Sequence, residues 1–166
     1  MLAVVCLIAG STLGFSAETL VSGPPAGTQF EAVQCYANTG PYAGKESFDA
    51  STEISNGPGA LLFIHVLNRN TAPVLRGFDH LMNEFSFFSY KGFVISLSGD
   101  RTAGEEMIRR VNGSMKLRNP IVLGLDGLEG PGSLALNRRC TLSLILVNNG
   151  KVTKSFGFTD TGLHDM

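Results

Sequence analysis

Sulfur and charge are scarce in this chain. It holds three cysteines, Cys6, Cys35 and Cys140, and no Cys-x-x-Cys pair, so neither a paired-thiol centre nor a four-cysteine metal site can be assembled from local spacing. Charged residues make up only 16%, with 13 basic against 14 acidic and a formal net charge of −1, which removes the electrostatic basis for nucleic-acid binding. Arg109-Arg110 and Arg138-Arg139 are pairs too small to alter that balance. No apolar run reaches the roughly 20 residues of a membrane span. Histidines and carboxylates nowhere adopt His-Glu-x-x-His spacing, the serines form no Gly-x-Ser-x-Gly, and Gly127–Gly132 lacks the lysine and hydroxyl of a phosphate loop. Zinc or iron chemistry, serine hydrolysis and nucleotide-phosphate binding are therefore not expected, and no cofactor is.

What is present is a core. With 43% hydrophobic residues in 166, the chain is expected to form one domain of ordinary size. Its organising stretch is Ala60–Phe88. Ala60-Leu61-Leu62-Phe63-Ile64-His65-Val66-Leu67 is a nearly continuous apolar run, the pattern of a strand buried on both faces. The polar turn Asn68-Arg69-Asn70-Thr71 separates it from Val74, Leu75, Phe78, Leu81, Met82 and Phe85, which recur at helical spacing, with Pro73 in the first turn, where its missing N–H costs nothing. Open α/β sheets keep their chemistry at such junctions, yet this turn has no cysteine, histidine or carboxylate.

Before this unit, Phe30–Asn38 and Phe48–Ile54 read as a β-hairpin. After it, Gly92–Ser98 reads as a buried strand, and Thr102 with Glu105 as a capping box opening a helix that buries Ile108, Val111 and Met115. Ile121–Leu125 is a third core strand, Gly130–Leu136 a short helix, and Thr141–Val147 with Lys151–Thr159 a hairpin closed by Asn148-Asn149-Gly150. No internal repeat is present.

Met1–Ala17 has a short apolar core of Leu2, Val4, Val5, Leu7 and Ile8 followed by small residues, and reads as an export segment, cleaved or retained as a weak anchor. Cys6 is in its middle and counts as one of its apolar residues. The expected location is secreted or periplasmic, with membrane contact only through this segment if it stays. Residues 18–29, with Gly23-Pro24-Pro25-Ala26-Gly27, read as a linker, 30–159 as the domain and 160–166 as a tail.

The order of elements, the Thr39-Gly40-Pro41 and Ala43-Gly44-Lys45 turns, the Ala60–Phe88 unit and the closing hairpin resemble a thioredoxin-like domain of the redoxin or thiol-specific-antioxidant type, over roughly Phe30–Thr159. The resemblance implies an α/β, three-layer fold with a central mixed sheet flanked by helices and an N-terminal hairpin extension. It also implies where chemistry would sit. The two family thiols fall near Asn70 and Pro73, and the family's cis-proline falls at Leu142. A non-proline cis bond costs about 3 kcal/mol, so Leu142 is expected trans. The site positions are thus degenerate, and the resemblance implies a scaffold acting as a binding or structural module for an unspecified protein partner. Its expected contact surface is the Asn68–Pro73 turn, Cys140–Ser143 and the edge of the N-terminal hairpin.

Cys140 offers the alternative: it lies close to that pole, directly after two arginines that favour a thiolate, while packing inside would raise its pKa instead. A residual thiol oxidoreductase or peroxiredoxin-like enzyme would use Cys140, with or without Cys35 as resolving partner. His65 is expected as a satisfied core histidine, and His80 and Glu84, at i, i+4, as a solvated pair beside Asp79. His164, with Asp160 and Asp165, belongs to the tail. Asn112-Gly113-Ser114 fits the glycosylation triplet but falls in a helical pattern.

Overall fold

A computed structural model of the chain describes residues 20–29 and 31–160; Met1–Ala17 and His164–Asp165 lie outside the described residues. The strands are β1 (Gln34–Tyr36), β2 (Phe48–Asp49), β3 (Pro58–Ile64), β4 (Lys91–Ser96), β5 (Val122–Gly124), β6 (Leu142–Asn148) and β7 (Lys151–Phe158). They form one mixed sheet in the order β2-β1-β5-β4-β3-β6-β7. β3 is parallel to β4 and antiparallel to β6, so the apolar run is central. Alternation within it divides the core. Leu61 and Phe63 face one layer, Leu62 and Ile64 the other, and each fully buried side chain of this size contributes about 1.5–3 kcal/mol.

The second layer is covered by two helices, α2 (Thr71–Glu84) and α3 (Arg101–Met115), which bury Leu75, Phe78 and Met82, and Ile108, respectively. Both are crossovers between parallel strands taken in the same direction along the sheet, which places them on one face. Leu134 and Leu136, from the segment joining β5 to β6, cover the first layer together with Val33 and the short helix α1 (Ala50–Glu53).

Local chemistry moved several boundaries. The Phe48–Ile54 strand is only two residues long, because the Asp49 carboxylate accepts from the Ser51 N–H (2.9 Å), the Ser51 hydroxyl (2.7 Å) and the Val33 N–H (2.9 Å) and starts α1 instead. β3 stops at Ile64, since the N–H groups of His65 and Val66 both turn to the Thr141 carbonyl. The capping box at Thr102 is absent. Asp100 caps α3 by accepting from the Ala103 N–H at 2.9 Å, and Glu105 pairs with Arg101 at 2.8 Å. In the closing hairpin Asn149 and Gly150 have φ of 49° and 71°, the two left-handed positions of a type I′ turn. Residues 20–29, expected as a linker, are a strap. Ser22, Gly23 and Pro24 are buried, the Gly27 N–H donates to the Val152 carbonyl, and the Val152 N–H donates to the Thr28 carbonyl.

Candidate functional site at the carboxyl end of the central strand

At this end of β3 the chain passes through 65–70 into α2, and the turn is organised by a residue that pattern reading overlooked. The Asn68 side-chain oxygen accepts from the N–H groups of Asn70 (2.9 Å) and Thr71 (3.1 Å), while the Thr71 hydroxyl donates back to the Asn68 carbonyl at 2.8 Å. The Asn68 amide donates to both carboxylate oxygens of Asp160, at 2.8 and 3.1 Å, tying the turn to the end of β7. Asn-x-x-Thr ahead of an apolar helical stripe is the signal that announces such a cap. Asn70 lies just outside α2 and Pro73 in its first turn, both on the side that meets β6 and β7. Leu142, fully buried, pairs in register with Ile64 and Phe158; among the described residues no peptide bond is cis.

Behind the turn lies a buried polar chain. His65 Nε2 is 2.9 Å from Ser143 Oγ, which is 2.6 Å from Ser22 Oγ, and Ser22 Oγ accepts from the Asn137 N–H at 2.9 Å. Ser22 and Ser143 are fully buried. Burial pushes the His65 pKa down, opposed by the carboxylate of Glu129. His65 is thus hydrogen-bonded as expected, but it lies one residue past the end of β3 and is half-buried, not in the core strand, and Ser22 and Ser143 are partners that no periodicity or motif would have found.

Cys140 joins this cluster. It is 2% exposed, and a side chain at Gly157 would place its Cβ 2.6 Å from the sulfur, so glycine there makes the room Sγ occupies. Burial raises the thiol pKa; hydrogen bonds with the Ser22 and Ser143 hydroxyls and the charge of Arg139 pull it back in part. Cys35 lies elsewhere. It sits on β1 opposite Gly124, and the register runs on through β5, β4 and β3 to Leu142. Four strand spacings put the two cysteines about 19 Å apart, well beyond the roughly 7 Å a disulfide tolerates. Both thiols are free, and Cys35 as a resolving partner for Cys140 is excluded in this arrangement. Burial and the nearby carboxylates of Asp126 and Asp49 push the Cys35 thiol far up. The hairpin edge is also separated from the β3 turn, by β4 and β5, so the three-part contact surface expected from sequence is not contiguous.

No family model and no curated protein matches the chain. Solved structures do. A thiol:disulfide interchange protein from Bacteroides sp. is 17% identical with a TM-score of 0.59, covering 85% of this chain and 87% of its own. A yeast mitochondrial 1-Cys peroxiredoxin is 13% identical with a TM-score of 0.57, over 83% and 69%. A peroxidoxin from Mycobacterium tuberculosis is 15% identical with a TM-score of 0.55, over 84% and 91%. The fold is thioredoxin-like. The β3–α2 junction is therefore the place where a thioredoxin-like domain presents its helix N-terminus, and here that place holds Asn68, Asn70 and Pro73.

The remaining candidates are structural in their contacts. His80 and Glu84 meet at 3.4 Å on the exposed face of α2. Asn112 is buried; its amide bonds the Ile121 carbonyl and the Asn38 side chain, and its oxygen accepts from the Ile121 N–H at 2.8 Å, so it clamps α3 to the approach of β5. Among the described residues no group of three or more His, Cys, Asp or Glu side chains is placed to hold a metal ion, and no helix is long and apolar enough to cross a membrane.

Proposed function

We propose that the chain is an exported thioredoxin-like protein that has lost thiol-disulfide chemistry and acts as a binding or structural module. One observation carries the reading: the Cys140 sulfur, near the junction, is sealed beneath Gly157 and the strap, with its pKa raised by burial, while the turn in front of it contains no sulfur. A helix N-terminus activates a thiolate only where a thiol stands in its first turn, and Asn70 and Pro73 offer none. Loops held on a rigid sheet keep a capacity to bind after such chemistry is gone. Export to a secreted or periplasmic location rests on Met1–Ala17 alone, as does any attachment to a membrane, and the partner is expected to be a protein.

The second reading is a single-thiol oxidoreductase or peroxiredoxin-like enzyme at Cys140, favoured by the two serine hydroxyls and Arg139, which lower its pKa. Its thiolate would attack a substrate disulfide, forming a mixed disulfide and releasing the other sulfur as a thiolate. The test is titration of thiols in the folded chain with an aromatic disulfide, alongside assays of disulfide reduction and peroxide consumption. Expected are thiols that react only on unfolding and no thiol-dependent turnover. Turnover that disappears in Cys140→Ser would overturn the first reading in favour of the second.

A further inference from the structure

The strap lies on the body of the domain without joining its core. None of residues 20–29 belongs to either apolar layer, and the Val21 side chain is 75% exposed. Its two halves are held differently. Gly27 and Thr28 exchange backbone hydrogen bonds with Val152 at 2.8 and 2.9 Å, and Gln29 bridges to Lys151, so residues 27–29 are paired to the start of β7. Residues 20–24 depend on side chains instead. Ser22 Oγ meets Ser143 Oγ at 2.6 Å and accepts from the Asn137 N–H at 2.9 Å, and the Ser155 hydroxyl donates to the Pro24 carbonyl at 2.7 Å. The other bonds of this half are long: the Gly23 N–H reaches the Ala135 carbonyl at 3.4 Å and the Asn137 amide the Val21 carbonyl at 3.3 Å. Pro25, Ala26 and Gly27, between the halves, are exposed, and Gly27 has a φ of 88° with nothing within 4 Å of where a Cβ would be.

What the first half covers is Cys140. The point a Cβ at Gly157 would occupy is 2.6 Å from Cys140 Sγ, 2.8 Å from the Leu20 carbonyl oxygen and 3.0 Å from Ser22 Cβ, so strap and sulfur close over the same spot. The Ser22 hydroxyl also bonds the sulfur. Cys35 is enclosed in another way: it lies in the first apolar layer, on β1 between β2 and β5, where no surface segment covers it alone. We propose that residues 20–24 form a lid, latched by Ser22 and hinged at Pro25–Gly27, which opens as a local unit and uncovers Cys140 while the sheet stays folded.

Opening gives up little. No side chain of the two apolar layers leaves its place, Ser143 keeps His65 at 2.9 Å, and water replaces Ser22 at the N–H of the half-buried Asn137. Segments with few buried apolar contacts open at a free energy well below that of global unfolding. For Cys140 the unfolding that admits a reagent is then that of the strap alone. The inference goes beyond the proposed function, which concerns whether the thiol turns over, whereas the lid concerns how it is reached. Labelling reads access and turnover assays read chemistry, so either can fail without the other.

The test is labelling of the folded full chain with N-ethylmaleimide, at reagent levels where the rate is proportional to reagent, with Cys35 and Cys140 followed separately by peptide mass mapping as urea is raised. In low urea Cys140 is expected to label at least about tenfold faster than Cys35 and almost independently of urea, whereas Cys35 labelling climbs steeply because only global unfolding exposes it. Two variants identify the moving part, and circular dichroism checks that each folds. Ser22→Ala weakens the closed form relative to both the open and the unfolded chain, so labelling of both cysteines should rise about tenfold. Asp100→Ala removes the cap of α3, a helix that stays folded when the lid opens, so it should raise Cys35 labelling about fivefold and leave Cys140 labelling unchanged. Cys140 labelling that follows Cys35 in its urea dependence and in Asp100→Ala would mean exposure by global unfolding and would overturn the lid. A Cys140 rate indifferent to Ser22→Ala would overturn it as well, by removing the strap as the cover.

Discussion

His65 shows how one side chain makes stability depend on pH. Burial lowers its folded pKa below the ordinary 6.5, with Glu129 opposing. As pH falls below about 6.5 the unfolded chain binds a proton that the folded chain resists, so stability is complete above that pH and declines as pH falls toward the folded pKa. Thermal melts at about pH 7.5 and about pH 5.5 should show a larger loss for the natural chain than for His65→Gln, which cannot titrate; equal losses would remove His65 as the cause. At Gly157 the issue is space. Gly157→Ala would press a methyl group against the Cys140 sulfur at 2.6 Å and the Leu20 carbonyl at 2.8 Å, so a loss of about 1–3 kcal/mol is expected in denaturant unfolding. Combining it with Cys140→Ala should cost less than the two changes summed, because the sulfur in the way is gone. The apolar run around His65 announced a core histidine, whereas the residue is half-buried just beyond β3, because the chain turns there to the Thr141 carbonyl. The Ser22–Ser143 contact was not legible, because it joins residues far apart in the chain through burial that no window of sequence expresses.

At the scale of elements, short-range hydrogen bonding explains both what was legible and what was misplaced. Asn149-Gly150 marks its hairpin because only residues tolerant of positive φ fit a type I′ turn. At the start of α3 two capping signatures overlap, and Asp100 prevails over Thr102. The Ser98 hydroxyl donates to the Asp100 carbonyl at 2.7 Å and accepts from the Asp100 N–H at 3.2 Å, setting the helix start two residues earlier. Asp100→Ala should therefore lose about 1 kcal/mol by chemical denaturation. Thr102→Ala, at an exposed position inside the helix, should change stability by less than about 0.5 kcal/mol; the reverse ranking would restore the capping box. The β3–α2 turn follows the same logic, with Asn68 and not Asn70 satisfying the N–H groups at the start of the helix.

For the whole molecule the strand order is decisive. β6 returns past β4 and β5 to pair with β3, which brings Cys140 and Leu142 beside the β3–α2 junction and leaves Cys35 four strands away. Peptide mapping of the oxidised chain should accordingly yield no fragment linking Cys35 with Cys140, and the melting temperature should not move with reductant; a linked fragment would contradict the strand order itself. By itself the sequence determined the long elements, β3, α2, β4, α3 and the closing hairpin, since the two-residue and 3.6-residue apolar periods and the turn residues act within a few positions of one another, but not the short helix α1 or the exact element ends. It also determined that the junction lacks sulfur. Only the tertiary structure decided that residues 20–29 are a strap and not a linker, and that the remaining thiol near the junction is buried. Those are properties of which strands are neighbours, and neighbours across a sheet are set by packing between segments distant in the chain.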